Sequence, residues 1–273
     1  MSPRRQHVPW NAAGTASEQE HSADAVVRET GWVFNNKEHR SLADFVATGD
    51  EETVAYLHAF GLYGDQVAQQ ELVEIGSGIG RMTASFTRLF ARVVACDLDA
   101  AFLERCRETV AQFGRPERLR TSHVADGRTL NLPDDSADLV FSYITLQHCH
   151  RDDALGLVRD AVRVARPGGH VALNFRTWVP SDAVLWPAGK VVRATWRLPR
   201  IGPVIAKRRF ATRLGWQANR LAPGHVMDEV GSLLQDVTIF RSPRRRSFAV
   251  PGTADGQFEG VHRSHWWLVA TVR

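Results

Sequence analysis

The chain lacks any run of eighteen consecutive apolar residues, so the sequence predicts no membrane-spanning helix. It has three cysteines, Cys96, Cys106 and Cys149, which are scattered and form no Cys-x-x-Cys pair. This pattern argues against a disulfide framework and against a zinc site, and it is typical of a reducing compartment. The N-terminus has no apolar segment of the kind that a secretory signal carries. We therefore expect a cytoplasmic protein without a metal site.

Lysine is scarce, and acidic residues are missing from one stretch. Lys37, Lys190 and Lys207 are the only lysines, so arginine supplies nearly all the positive charge of a chain with net charge +4. Residues 183–227 contain nine Lys or Arg and no Asp or Glu. Such a stretch permits contacts to phosphates, but the net charge is small and no nucleic-acid recognition module is visible. We therefore expect the partner not to be a nucleic acid.

A glycine-rich segment is the most informative feature that is present. Glu74-Ile-Gly76-Ser77-Gly78-Ile-Gly80 follows the apolar pair Leu72-Val73 and precedes a helix-like segment. Glycines between a strand and a helix let a ligand approach the backbone where a side chain would block it. The third glycine of the dinucleotide fingerprint would fall at position 81, where the chain has Arg81. The segment therefore predicts a nucleoside cofactor other than a dinucleotide.

Four further motifs follow in order. They are Val93-Val-Ala-Cys96 with Asp97-Leu98, His123-Val-Ala-Asp126-Gly127, Leu132-Pro133 before Asp138-Leu-Val140, and Arg166-Pro167-Gly168-Gly169. With the Glu-x-Gly-x-Gly-x-Gly segment they resemble the class I S-adenosyl-L-methionine (SAM)-dependent methyltransferases, of the bacterial small-molecule type, over residues 71–175. One departure is Ala137, where the family usually has Phe. The resemblance implies SAM as the cofactor and S-adenosyl-L-homocysteine (SAH) as the product.

The resemblance also implies the fold. We expect an α/β, Rossmann-like, doubly wound sheet of seven strands, mostly parallel with an antiparallel last strand, plus a helical cap insertion. Alternating apolar runs predict strands near 71–75, 92–97, 119–124, 138–143 and 170–175, completed by 237–240 and 266–272. The predicted divisions are a disordered tail (1–28), a helical lead-in over the cofactor (29–70), the SAM-binding core (71–175), a helical cap for substrate (176–222) and the completion of the sheet (223–273).

Several of these residues have an expected role at the cofactor. A carboxylate at Asp97 can accept both ribose hydroxyl protons, and Asp126 would meet the adenine amino group. Asp97 as an ordinary helix N-cap and Asp126 as a plain turn residue remain alternatives. Arg81 is either a partner of the cofactor carboxylate or of Glu74, or a solvent-facing residue. The predicted cofactor-binding residues are Glu74, Gly76, Ser77, Gly78, Gly80, Arg81, Asp97, Leu98, Asp126, Gly127, Ser142 and Tyr143.

His148 is the predicted catalytic residue. Methyl transfer is an in-line displacement, so the protein must align the nucleophile and accept its proton. The segment Phe141-Ser-Tyr143-Ile-Thr-Leu146-Gln-His148 resembles the family's stretch after strand four, and an imidazole suits deprotonation of a hydroxyl. A structural role for His148 beside the cofactor remains an alternative. His225, His262 and His265 are the other candidate bases.

Tryptophan marks the predicted acceptor site, because six of the eight tryptophans follow residue 177. Trp rings stack on apolar sugar faces, and the Asn/Asp-Pro-Pro-Tyr/Phe segment of amino-directed enzymes is missing. We therefore expect O-methylation of a small polyhydroxylated metabolite or glycoside. The predicted substrate-binding residues are Trp178, Trp196, Trp216, His225, His262 and His265.

Two other functions remain open. An amphipathic Trp/Arg segment is typical of interfacial helices, which would favour a lipid-linked, isoprenoid or aromatic acceptor and transient contact with a membrane surface. From a different class, the protein could be a SAM-binding regulator without turnover. The sequence does not decide the oligomeric state.

Overall fold

The computed structural model of the protein describes residues 22–30, 41–196, 198–206, 208–215 and 219–273. Most of the predicted tail and the candidate Trp216 therefore lie outside the described residues. Within them, the helices are α1 (Ala23–Thr30), α2 (Leu42–Ala59), α3 (Thr83–Leu89), α4 (Ala100–Phe113), α5 (Arg151–Val164), α6 (Asp182–Thr195), α7 (Gly202–Ala206), α8 (Arg209–Gly215) and α9 (Pro223–Val230). The strands are β1 (Glu71–Ile75), β2 (Arg92–Asp97), β3 (Leu119–His123), β4 (Ala137–Ser142), β5 (Ala165–Arg176), β6 (Leu234–Arg241), β7 (Ala254–Gln257) and β8 (His265–Val272).

The strands of the described chain form one sheet of order β3-β2-β1-β4-β5-β8-β6-β7. Strand β8 is antiparallel to both β5 and β6, and the other pairs are parallel. The predicted α/β fold with an antiparallel last strand is confirmed. The eighth strand, β7, was not predicted, because Ala254-Asp-Gly-Gln257 is polar and shows no apolar alternation.

Helices cover both faces of the sheet, as consecutive residues of β1 show. Leu72 packs in a buried cluster with Phe86 of α3, whereas Val73 packs on the opposite face with Val158 of α5. Both faces of a central parallel strand must be apolar, since helices cover each of them. This burial explains why β1 and β2 read as continuous apolar runs in the sequence.

The lead-in begins earlier than the predicted boundary at residue 28/29. Residues 23–30 form helix α1, whose Ala23, Val26 and Val27 are buried. The backbone N–H of Ala23 donates to Glu108 of α4 at 2.9 Å. Helix α1 forms because its apolar residues recur at i, i+3 and i+4 and pack on the core. It was not predicted because one short apolar stripe is a weak signal in a polar sequence.

The carboxyl ends of β1, β2, β4 and β5 lie at one edge of the sheet, which we call the rim, and antiparallel β8 begins there. In open α/β sheets ligands bind at this edge. Among the described residues, the structure has no helix that is long and apolar enough to cross a membrane.

Candidate active site

The glycine-rich loop lies between β1 and α3 at the rim. Gly76, Gly78 and Gly80 have φ angles of 80°, 55° and 93°, in the left-handed region that favours glycine. A Cβ atom at Gly76 would lie 2.1 Å from Oγ1 of Thr145. The backbone N–H groups of Gly76 and Ser77 both donate to the carbonyl of Cys96, at 2.7 and 3.1 Å. The loop is thereby tied to the end of β2, and the missing side chain at Gly76 makes room for Thr145.

Asp97 ends β2 and faces this loop. Its Oδ2 accepts the N–H of Gly78 at 2.8 Å, and its Oδ1 accepts the N–H of Asp99 at 2.9 Å. Each oxygen keeps one lone pair, so the carboxylate can still accept two hydroxyl protons. Burial raises the pKa of Asp97 to about 6, against the lowering effect of these hydrogen bonds. The N-cap of α4 is Asp99, which accepts the N–H of Ala101, so the N-cap alternative for Asp97 is wrong.

Glu74 places a second carboxylate beneath the same loop. It is buried, and its Oε2 accepts a hydrogen bond from Oγ1 of Thr83 at 2.6 Å. Burial raises the pKa of Glu74 to about 7, and the charge of Asp97 acts in the same direction. The charge of Asp97 raises the pKa of Glu74, and ionised carboxylates at this edge create a negative potential. Such a potential suits the cationic sulfonium and ammonium groups of SAM and disfavours a pyrophosphate.

Asp126 follows β3 and forms a turn. Its Oδ1 accepts the N–H groups of Arg128 and Thr129, each at 2.8 Å, and its Oδ2 accepts the Thr129 hydroxyl at 2.8 Å. Slight burial raises the pKa of Asp126, but the three hydrogen bonds outweigh it and lower the pKa below its ordinary value. Gly127 has a φ of 70°, as the turn requires, and a Cβ there would lie 3.8 Å from Leu98. Contact between Asp126 and adenine stays a prediction.

Arg81 is buried and pairs with the lead-in helix. Its Nη2 lies 2.7 Å from Oε2 of Glu52, an ion pair rather than an aligned hydrogen bond. Its guanidinium lies 5.8 Å from the ring centre of Tyr143 and 5.9 Å from that of Phe45. The solvent-facing alternative for Arg81 is therefore wrong. Glu52 was not predicted from the sequence, because it contacts Arg81 from a different element of the chain.

Ser142 and Tyr143 leave β4 at the rim. The Ser142 hydroxyl donates to the carbonyl of Ile75 at 3.1 Å. The Tyr143 ring stacks on Trp267, with centres 5.5 Å apart and planes 9° apart. Burial raises the pKa of Tyr143 to about 12. Trp266 and Trp267 are both buried, so neither ring is free to stack on a sugar.

His148 ends a short 3-10 turn that follows β4. Its Nε2 lies 3.3 Å from the side-chain nitrogen of Gln147. Because an amide nitrogen can only donate, Nε2 of His148 is the acceptor of this hydrogen bond and carries no proton. Asn219 is buried and donates to the carbonyls of Leu146 and Cys149, at 2.6 and 3.0 Å. Asn219 thereby fixes the turn that carries His148, and no sequence motif predicted this role.

His265 lies at the start of β8, beside His148. The amide oxygen of Asn174 accepts both the N–H of Ile144, at 3.3 Å, and Nδ1–H of His265, at 3.1 Å. Burial lowers the pKa of His265 to about 3, helped by the charges of Arg176 and the neighbouring histidines. Burial and Arg176 also lower the pKa of His262. Both rings stay neutral at ordinary pH, and a base with a pKa near 3 is weak, so His148 is the better candidate.

Two arginines hold the cap to the rim. Arg176, the last residue of β5, and Arg220 both donate to Oδ1 of Asp182, at 3.0 and 2.8 Å. Burial acts to raise the pKa of Asp182, but the hydrogen bond from Arg220 and both arginine charges lower it to about 2. Asp182 is the first residue of α6, so the cap helix is fastened at its beginning.

The other predicted substrate residues are dispersed. Trp178 follows β5 and is 45% exposed. Trp196 packs inside the cap, where its ring would meet a Cβ at Gly215 at 2.3 Å. His225 lies in the first turn of α9, and its buried Nδ1 has no hydrogen-bond partner within the described part of the chain. Within the described residues, the structure brings together His148, His262 and His265 from the predicted set.

Comparison with known proteins decides the family. Residues 73–173 match the model of a methyltransferase domain. Residues 73–173 therefore form a methyltransferase domain of the class I SAM-dependent family. The cofactor of this methyltransferase is SAM, and the two free lone pairs of Asp97 beside the glycine-rich loop fit its ribose.

Curated relatives match part of the methyltransferase chain. It is 29% identical over 150 residues to a carboxy-S-adenosyl-L-methionine synthase of Pseudomonas putida, covering 52% of this chain and 61% of that one. It is 34% identical over 117 residues to a malonyl-[acyl-carrier protein] O-methyltransferase of Halorhodospira halophila, covering 42% and 37%. The chain therefore spans less than two thirds of the length of these relatives.

A solved structure shares the fold. It is phosphoethanolamine N-methyltransferase 1 of Haemonchus contortus, in complex with phosphoethanolamine and S-adenosylhomocysteine, with a TM-score of 0.51 and 18% identity over 84% of this chain and 43% of that one.

Proposed function

We propose that this methyltransferase transfers a methyl group from SAM to a hydroxyl oxygen of a small polyhydroxylated metabolite or glycoside. When bound, SAM supplies an already activated methyl group. The chain must then hold the acceptor oxygen in line, exclude water and accept one proton. SAH and the methylated acceptor are the products.

The position of His148 carries the proposal. It stands at the rim six residues after the end of β4, and its Nε2 lies 3.3 Å from the side-chain nitrogen of Gln147. In the proposed reaction Nε2 accepts the hydroxyl proton as the oxygen attacks, so the leaving proton stays on the imidazole. The Asn219 amide holds the backbone on both sides of His148, which limits the loss of alignment.

A polar lining supports a hydroxylated acceptor. His265, Asn174 and Arg176 lie beside one another on β5 and β8, at the same edge as His148. Nε of Arg176 is buried and has no hydrogen-bond partner among the described residues, and a polar atom of this kind favours a substrate that satisfies it. The name of the Halorhodospira halophila relative also describes an O-methyltransferase.

Two competing functions make different predictions. A lipid-linked, isoprenoid or aromatic acceptor is favoured by the exposed apolar residues of the cap, among them Val184 at 74% and Phe210 at 75% exposure. A SAM-binding regulator needs the cofactor residues Glu74 and Asp97 but has no need of a base at His148.

Labelling separates the three functions. The protein is incubated with methyl-labelled SAM and source-cell extract, and the label is followed into water-soluble small-molecule, lipid, protein and RNA fractions. Label in the water-soluble small-molecule fraction supports the proposal, and label in the lipid fraction supports the second acceptor class. If SAH binds but no fraction gains label over an Asp97→Ala control, the protein is a SAM-binding regulator and the proposed enzymatic function is wrong.

A further inference from the structure

Helix α6 differs from an ordinary surface helix in which of its sides carries the apolar residues. Its inward stripe consists of Asp182, Trp186, Gly189 and Arg193, spaced by three or four residues, with Asp182 and Gly189 buried. Surface helices normally turn their apolar stripe inward. Here the inward stripe contains two of the three charged residues of the helix, and the outward face is apolar apart from Lys190.

The outward face of α6 is part of a larger apolar surface. Val184 and Val191 are 74% and 64% exposed and lie seven residues apart, two turns along the same side of the helix. Leu198, Ile201, Val204 and Phe210 follow on the rest of the cap, at 46%, 51%, 56% and 75% exposure. We call these six residues the cap outer face. Single exposed apolar side chains need no explanation, but a concentration of them in one segment indicates an interaction site.

The concentration is specific to the cap. Of the eleven large hydrophobic side chains that are exposed in the described chain, seven lie between residues 184 and 210. The other four, Val54, Tyr63, Trp178 and Leu233, are separated along the chain. The cap outer face is therefore a local property and does not reflect general surface composition.

Positive charge borders this apolar surface. Lys190, Arg200 and Arg208 are exposed beside it, and residues 183–227 contain no Asp or Glu. Apolar residues flanked by basic ones, with acids absent, match the combination that binds the interface of an anionic bilayer. A second copy of this chain would bring the same basic residues face to face, where like charges repel.

We propose that the cap outer face binds the surface of an anionic lipid bilayer, with its apolar side chains inserted at the headgroup level and the neighbouring basic residues on the lipid phosphates. The proposal does not depend on the proposed function, since binding needs neither SAM nor an acceptor. It would place the rim, to which Asp182 fastens the cap, close to the lipid surface.

Co-sedimentation of the full chain with vesicles tests the proposal. Vesicles of phosphatidylcholine with about one third phosphatidylglycerol are compared with pure phosphatidylcholine vesicles, at low and high salt. The apolar variant is Val191→Ser with Phe210→Ser, and the charge variant is Lys190→Gln with Arg208→Gln. Leu233→Ser is the matched control, because Leu233 is 50% exposed but lies outside the cap. All these side chains are exposed, so circular dichroism should show unchanged folding.

We expect binding to the anionic vesicles only, weakened by salt. The apolar variant should bind at least about tenfold more weakly, and the charge variant should also lose affinity, while Leu233→Ser binds like the wild type. No binding to anionic vesicles at low salt overturns the proposal. So does unchanged binding by the apolar variant, which would mean adsorption by charge alone. A wild-type dimer that the apolar variant dissociates, without vesicle binding, would assign the face to a second copy and also overturn it.

Discussion

Arg81 and Glu52 join the cofactor loop to the lead-in helix, with Nη2 and Oε2 2.7 Å apart. Arg81 directly follows the last glycine of the loop, and Glu52 lies on α2. The Arg81 carbonyl also lies where a Cβ at Gly49 would be, only 2.2 Å away, so the helix approaches the loop as closely as glycine permits. The ion pair and this close approach together hold α2 against the cofactor loop.

Glu52→Gln should destabilise the protein by about 1–2 kcal/mol, because Arg81 is left as a buried cation without its carboxylate. Thermal unfolding should show a fall in Tm of about 2–8 °C for a chain of this size. Asp50→Asn is the control, since its ion pair with Arg88 is largely exposed and should be worth less than about 1 kcal/mol. Equal shifts for the two variants would contradict the assigned role of Glu52.

Asp97→Ala should weaken SAH binding by about 1.5–3 kcal/mol, because the variant loses both acceptors for the ribose hydroxyls. Isothermal titration calorimetry measures the change. Asp228→Ala, at an exposed position of α9, is the control and should bind SAH like the wild type. Unchanged affinity in a folded Asp97→Ala protein would remove Asp97 from the cofactor site.

SAH affinity should depend on pH through Asp97. In the free protein, burial raises the pKa of this carboxyl to about 6, whereas hydrogen bonds from the ribose favour its ionised form. Affinity should thus be complete above this pKa and fall as the pH drops through it, by about tenfold between pH 7 and pH 5. Calorimetry of Asp97→Asn provides the comparison: its affinity should be lower and should vary less over this range. Equal pH dependence of the two proteins would assign the effect to another group, with Glu74 the first to test.

His148→Ala should lower turnover about a hundredfold or more while SAH affinity stays within about twofold, because a general base acts on the acceptor and not on cofactor binding. Initial rates are measured with the acceptor that labelling identifies. Wild-type turnover in the variant would mean that proximity alone suffices or that His225 or His262 accepts the proton.

Local patterns in the sequence were sufficient to predict the central fold. The apolar runs that end in Glu74 and Asp97 are strands β1 and β2 at their predicted positions, because a central parallel strand buried on both faces leaves a continuous signature. Helix α1 and strand β7 were not predicted, because both are short and most of β7 is exposed. Elements of this kind depend on tertiary contacts that a single sequence does not reveal.

The cofactor residues could likewise be predicted from local sequence, whereas the acceptor residues depend on tertiary contacts. The glycine-rich loop could be predicted because the residues expected to contact its ligand are consecutive in the sequence. Four partner residues could not be predicted, because each contacts a residue of a different element. They are Glu52, Asn174, Asn219 and Asp182. Asn174, for example, contacts His265 from 91 positions away, and no spacing rule covers such a pair. Two of the six tryptophans that follow residue 177, Trp266 and Trp267, are buried in the sheet.

The two arginine bonds at Asp182 attach α6 to the rest of the protein at its first residue. Fourteen residues make this helix about 21 Å long, and both arginine bonds act at its first residue. A tilt of about 10° around that pivot would carry Thr195 through about 4 Å, comparable to the width of a methyl group, while the bonds at Asp182 scarcely lengthen. Such a tilt would leave Arg176, the strand residue that holds Asp182, in place.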